Sequence, residues 1–162
     1  MKKLLTLLFL MLFSTSMFSQ EETATTGLRV VNYTPCVQYF VVVGVEECIC
    51  KSKEPVQHAI SPLIKIEPAI SPTNPSTLLL LTSELFSEEV GFEYIIQVRI
   101  MDGNYCGGGS PAGQPCAGVP FTYVFKALGE KCVLCPDNKI TIAIRKPAKN
   151  CEDMATLTFV NP

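Results

Sequence analysis

Phe92-Glu93-Tyr94-Ile95-Ile96-Gln97-Val98-Arg99-Ile100-Met101 reads with a period of two. Phe92, Tyr94, Ile96, Val98 and Ile100 alternate with Glu93, Ile95, Gln97, Arg99 and Met101. Successive side chains of a β-strand point to opposite faces, so such a run buries one face and wets the other. The same period returns in Phe121–Leu128, with Phe121, Tyr123, Phe125 and Ala127 on one side. It returns in Ile140–Arg145, where Ile140, Ile142 and Ile144 alternate with Thr141, Ala143 and Arg145. It closes the chain in Ala155–Val160, where Ala155, Leu157 and Phe159 share a face.

Upstream of these runs, Leu28–Thr34 reads as a strand, and Val37–Val45 is apolar on both faces and β-branched, which suits a central strand. Leu63–Glu67 is a short strand. Ser76–Glu89 is ambiguous, because Leu78–Leu81 suits a strand over Thr77–Thr82 while leucine also favours helices. Pro55, Pro62, Pro68, Pro72 and Pro75 break the middle of the chain, and proline is confined to edges and turns of sheets. Ala-Ile-Ser-Pro occurs at Ala59–Pro62 and again at Ala69–Pro72, as two turn entries flanking a short edge strand. No strand–helix–strand alternation is visible, which disfavours parallel α/β folds. The expected fold is all-β, a single antiparallel β-sandwich of about eight strands stapled by disulfides.

Met1-Lys2-Lys3, an apolar run from Leu4 to Phe13 and the small residues Ser14, Thr15, Ser16 and Ser19 have the form of a secretory signal peptide. The run is shorter than the ~20 apolar residues a spanning helix needs. The expected organisation is a signal peptide over 1–19 and one domain over 20–162, exported to the periplasm, the cell surface or the medium. Without Lys2 and Lys3 the chain carries a net charge of about −4. There is no basic stripe with interleaved aromatics, so nucleic acid is not an expected partner. Arg145, Lys146 and Lys149 form one small basic cluster, read as a solvated strand end.

The eight cysteines are Cys36, Cys48, Cys50, Cys106, Cys116, Cys132, Cys135 and Cys151. Behind a signal peptide, an even set reads as disulfides. Cys106 and Cys116 bracket a glycine-rich loop and are expected to pair. Cys36 ends the first strand and Cys151 precedes the last; if those strands are antiparallel neighbours, they pair as well.

Several motifs hint at chemistry. Cys132-Val-Leu-Cys135 has the form of a dithiol redox motif, but that chemistry needs a helix N-terminus in a βαβ setting, and here the motif connects two strands. Cys48-Ile-Cys50 with Cys132 and Cys135 has four thiols for zinc, yet its first half is shorter than the usual knuckle. His58 is the only histidine. It would have to be the base of any nucleophilic triad, and it sits in the proline-broken connection with no nucleophile motif beside it. Glu88, Glu89, Asp102 and Asp153 are acidic turn residues that a two-carboxylate hydrolase would need at a fixed separation. Asp102-Gly103-Asn104 lacks the remaining ligands of a calcium loop. Gly107–Gly113 is not followed by the Gly-Lys-Ser/Thr of a phosphate cradle. No cofactor motif is present.

The order Asn32-x-Thr34-x-Cys36, Cys48-x-Cys50, Cys106, Cys116-x-Gly118-x-Pro120, Thr122-Tyr123 and Cys132-x-x-Cys135 resembles a group of uncharacterised cysteine-rich domains secreted by Gram-negative bacteria. The resemblance spans roughly residues 28–160. It implies bacterial export and a β fold, and it brings no activity, ligand or catalytic residue with it.

The sequence therefore points to a non-catalytic extracellular module, binding or structural, with a protein or glycan partner outside the cytoplasm. Tyr105, Ser110 and Gln114, in or beside the 106–116 loop, are its candidate recognition residues. The alternatives are an inhibitor or effector that presents that loop, and a carboxylate hydrolase.

Overall fold

A computed structural model describes residues 25–46, 58–87, 91–101, 110–113, 121–128, 132, 134–135, 140–146 and 151–162. Ten strands and one short helix lie among them. The strands are β1 (Gly27–Asn32), β2 (Gln38–Val45), β3 (His58–Ile60), β4 (Ile64–Ile66), β5 (Ser76–Leu81), β6 (Tyr94–Met101), β7 (Ser110–Gly113), β8 (Thr122–Lys126), β9 (Ile140–Lys146) and β10 (Met154–Val160). The helix α1 is a single turn, Thr82–Leu85. The ambiguous 76–89 segment thus begins as a strand and turns into a helix at Thr82.

The strands form two five-stranded sheets. The first runs β5-β1-β10-β9-β8. The second runs β3-β2-β6-β7, with β4 also paired to β2. The apolar β2 is central, as its composition predicts, and all eight of its residues are buried. β10 buries the face its alternation marks, with Ala155, Leu157 and Phe159 in the core, whereas β9 turns Thr141, Ala143 and Arg145 inward and leaves the Ile140 side of its alternation outward.

That core draws on both sheets. Phe159 of β10 meets Phe40 of β2 at 6.2 Å between ring centroids and Phe125 of β8 at 6.4 Å. Leu28 and Val30 of β1 and Val98 and Ile100 of β6 fill the same cluster. Side chains of this kind contribute roughly 1.5–3 kcal/mol each when fully buried.

Four expectations are corrected. First, the molecule is not wholly antiparallel: β1 pairs with β10 in parallel, from Gly27↔Met154 to Asn32↔Phe159. Periodicity fixes which face a strand buries, not its direction, and no hairpin links the first strand to the last. Second, the strands exceed eight because β3 and β7 are short, and one carries Pro111. Third, the 92–101 run is not one unbroken alternation. The β2–β6 register passes from Val43↔Gln97 to Gly44↔Ile95, a bulge that skips Ile96. The core therefore takes Ile95, Val98 and Ile100, and Tyr94 stays half-buried. Fourth, Arg145 is not a solvated strand end. It lies on the inward face of β9, 1 % exposed, and donates from Nη2 to the Ile95 carbonyl at 3.4 Å.

Gly44, at the register shift, is held small by Phe86. A Cβ there would lie 2.7 Å from Cε2 and 2.8 Å from Cζ of Phe86, which packs flat against that backbone from beyond α1. An aromatic ring held in a core cannot step aside as a lysine tail can. Gly44→Ala is expected to cost about 1–3 kcal/mol, read as a lower denaturant midpoint at unchanged slope. An unchanged midpoint would mean that Phe86 is not seated there.

Candidate functional site

The cysteines are where sequence and structure meet most sharply. Cys36 and Cys135 stand at disulfide distance, with Cα atoms 5.8 Å apart and a sequence separation of 99. Both are buried in the shared core. Cys132 and Cys151 are disulfide-bonded too, and no described cysteine is free. The expected Cys36–Cys151 pair is overturned by the parallel β1–β10 ladder. Cys151 lies at the start of β1, where its carbonyl accepts from Thr26 N–H, and Cys36 lies past the other end. Cys48, Cys50, Cys106 and Cys116 lie outside the described residues, and the expected Cys106–Cys116 bond with them.

This arrangement decides the Cys132-x-x-Cys135 motif. A redox dithiol needs its two sulfurs to bond to each other in the oxidised form. Here Cys135 is bonded to Cys36 instead. Cys132 has φ +57°, a left-handed backbone that turns the chain between β8 and β9 and is uncommon for a side chain other than glycine, asparagine or aspartate. Zinc needs thiolates, and disulfide sulfurs do not supply them. Among the described residues, no three His, Cys, Asp or Glu side chains converge as a metal site.

The Asn32-x-Thr34-x-Cys36 motif forms a buried polar knot where the chain leaves the first sheet for the second. Asn32 Nδ2 donates to the Cys36 carbonyl at 2.7 Å and to the Glu67 carbonyl at 2.9 Å. Asn32 Oδ1 accepts from Thr34 N at 2.9 Å and from Thr34 Oγ1 at 2.7 Å. Gln38 Nε2 donates to Thr34 Oγ1 at 2.9 Å. Buried amides are tolerated when satisfied in this way. Asn-Tyr-Thr has the form of a glycosylation acceptor, but the Asn32 amide is fully buried and committed to two carbonyls.

His58 sits on the edge strand β3, opposite Val45, with its side chain exposed. It is a strand residue, not a loop residue. The short ladder escapes pattern reading because prolines flank it. His58→Ala is expected to change stability by under about 0.5 kcal/mol, as at an ordinary surface position, in a chemical denaturation series. It is also expected to leave any ligand binding unchanged. A hydrolytic activity lost by orders of magnitude in this variant would reverse the assignment.

Asp153 is exposed in the turn before β10, while Glu88, Glu89 and Asp102 lie outside the described residues. Of the recognition residues, Tyr105 and Gln114 also lie outside them. Ser110 opens β7, where it pairs with Ile100, so part of the 106–116 segment is a strand added to the second sheet.

A feature that sequence reading did not single out is a cleft of about 480 Å³ between α1 and the approach to β6. Thr26, Thr82, Ser83, Phe86, Phe92 and Glu93 contribute to its walls. Phe86 and Phe92 stand 6.5 Å apart at 52°, and Thr82 Oγ1 donates to the Thr26 carbonyl at 3.0 Å. Its volume falls in the range of small-molecule pockets. Its walls carry hydroxyls, two rings and one carboxylate. Among these lining residues Glu93 has no second carboxylate with which to form a hydrolytic pair. Residues from three distant segments build it, so no local motif announces it.

Comparison with known proteins returned no matching family model, no matching curated protein and no matching solved structure.

Proposed function

We propose that the protein is an exported, non-catalytic binding or structural module that works at the cell surface, in the periplasm or in the medium. The observation that carries this reading is the commitment of Cys135 to Cys36. The motif with the most reactive form in the chain is a core staple between segments 99 residues apart. Disulfides persist in oxidising compartments, which agrees with the signal-like N-terminus. Among the described residues no helix is long and apolar enough to cross a membrane. We read the two sheets around their common core as the two layers of a sandwich. The likeness to cysteine-rich secreted domains of Gram-negative bacteria belongs to the same proposal.

Affinity capture on the oxidised protein tests the function, with the cognate secretome and envelope extract as prey. The proposal expects a retained protein or glycan, and equal retention by His58→Ala. Turnover of a retained ligand would refute the non-catalytic reading.

A further inference from the structure

We propose that β5 is a self-pairing edge, and that two copies of the chain join through it, antiparallel, about a two-fold axis at Leu79. The inference goes beyond the reading above and does not depend on the ligand. It starts from which backbone groups of β5 are used. Thr82 N–H donates to the Thr26 carbonyl at 3.1 Å, and β1 and β5 pair from Gly27↔Leu81 to Asn32↔Ser76. On the other side of β1, Tyr33 N–H donates to the Phe159 carbonyl of the β10 ladder at 2.9 Å. Backbone direction alternates along a strand. The even residues of β5 therefore face β1, and Thr77 and Leu79 turn their N–H and C=O groups outward; Leu81 turns its N–H outward, while its carbonyl accepts the first bond of α1. Among the described residues β5 pairs with β1 alone.

Those outward groups are spaced for a second β5. With Leu79 opposite Leu79 of the other copy, Thr77 comes opposite Leu81, and Leu81 opposite Thr77. The Leu79 pair exchanges both of its N–H···O bonds, and each Leu81 N–H donates to the Thr77 carbonyl of the other copy, four bonds across the contact. The side chains agree. Leu79 is 55 % and Leu81 38 % exposed, and Met154 of β10 leans over Gly27 toward Leu81. Pairing the edges would continue this apolar stripe into its own copy.

Charge favours the same occupant. Ser76–Leu81 carries no charged side chain, so two copies meet without repulsion. The nearest charge in the ladder, Arg29, pairs with Leu79. In the joined sheet the two Arg29 residues stand three strand spacings apart, about 14 Å. That exceeds the ~8 Å Debye length of physiological salt. The other edges carry devices that block such pairing: Pro111 in β7, the Ser61-Pro62 break between β3 and β4, and Lys126 at the end of β8. A two-fold contact uses both edges and closes on itself, giving a dimer and not a fibre.

Sedimentation velocity of the oxidised protein between about 1 and 100 µM tests this, a span in which many transient pairs dissociate. The expected result is a monomer–dimer equilibrium. Leu79→Lys sets two like charges opposite each other and is expected to raise the dissociation constant at least about tenfold. Leu79→Pro removes the central outward donor of each copy, is compatible with an edge strand, and decides the question if Leu79→Lys does not fold. Val124→Lys, 56 % exposed on the β8 edge, is expected to leave association unchanged. A monomer throughout, open-ended polymers, or a dimer indifferent to the β5 substitutions would overturn the proposal.

Discussion

A chain ending at Asp153 is expected not to fold. Its missing segment is β10, which lies between β1 and β9 in the first sheet and holds both ladders. Ala155, Leu157 and Phe159 are each fully buried. Burial of Leu157 and Phe159 alone is worth roughly 3–6 kcal/mol, before the two ladders are counted. The total stability of a domain of this size is about 5–15 kcal/mol. The loss consumes most of that or all of it. β1 would also lose its partner on one side and keep only β5. Far-ultraviolet circular dichroism and a urea series on the truncated chain check the outcome. A cooperative transition with the native spectrum would show that β10 is peripheral. Leu157→Ala gives the graded version, with an expected cost of 2–5 kcal/mol, as for a large-to-small change in a closed core.

The second large effect belongs to the staple. Cys36→Ser/Cys135→Ser opens a bond that spans 99 residues of chain. In the chain-entropy model a loop of that length is worth about 4–5 kcal/mol, because the cross-link restricts the unfolded ensemble. Two buried hydroxyls add their own desolvation cost. The double variant avoids leaving one thiol to form wrong pairs. Its denaturation midpoint is expected to fall by that amount when the other disulfides stay oxidised. A loss below about 1 kcal/mol would mean that the two cysteines do not constrain each other.

These two effects also mark what was legible in the sequence. The buried face of β10 was open to reading, because Ala155, Leu157 and Phe159 obey the period of two without interruption. β9 misled, because its isoleucines alternate as cleanly, yet the core takes Thr141, Ala143 and Arg145 instead. The centrality of β2 followed from its unbroken apolar run. Direction did not follow. A parallel β1–β10 pair is made by residues at opposite ends of the chain, and nothing local to either encodes it. The false Cys36–Cys151 pair came from that one error. β6 misled for a different reason: its alternation is real on each side of Ile96, and the bulge that joins the halves lies opposite Val43 and Gly44 of another strand. Arg145 looked like a neighbour of Lys146, yet strand geometry sends adjacent side chains to opposite faces, and its carbonyl partner is on β6.

Of the candidate site, the cysteines were legible as a class and not as pairs. His58 was legible as exposed. The cleft at Phe86 and Phe92 was not legible, since its walls come from the start of β1, from α1 and from the approach to β6. The polar knot lies between these cases. Asn32, Thr34 and Cys36 were visible as a spaced motif, but their hydrogen bonds to one another and to Glu67 appear only when the chain turns between sheets.

The most direct test is peptide mapping, without reduction, of the protein recovered from outside the cytoplasm, with free thiols alkylated at harvest. A cross-linked peptide pair carrying Cys36 and Cys135 is expected, and no alkylated cysteine. That result would place the molecule in an oxidising compartment and its Cys-x-x-Cys motif in a structural bond. A peptide with Cys132 bonded to Cys135, or the two recovered as alkylated thiols, would contradict it. Either outcome would return the motif to redox or metal chemistry.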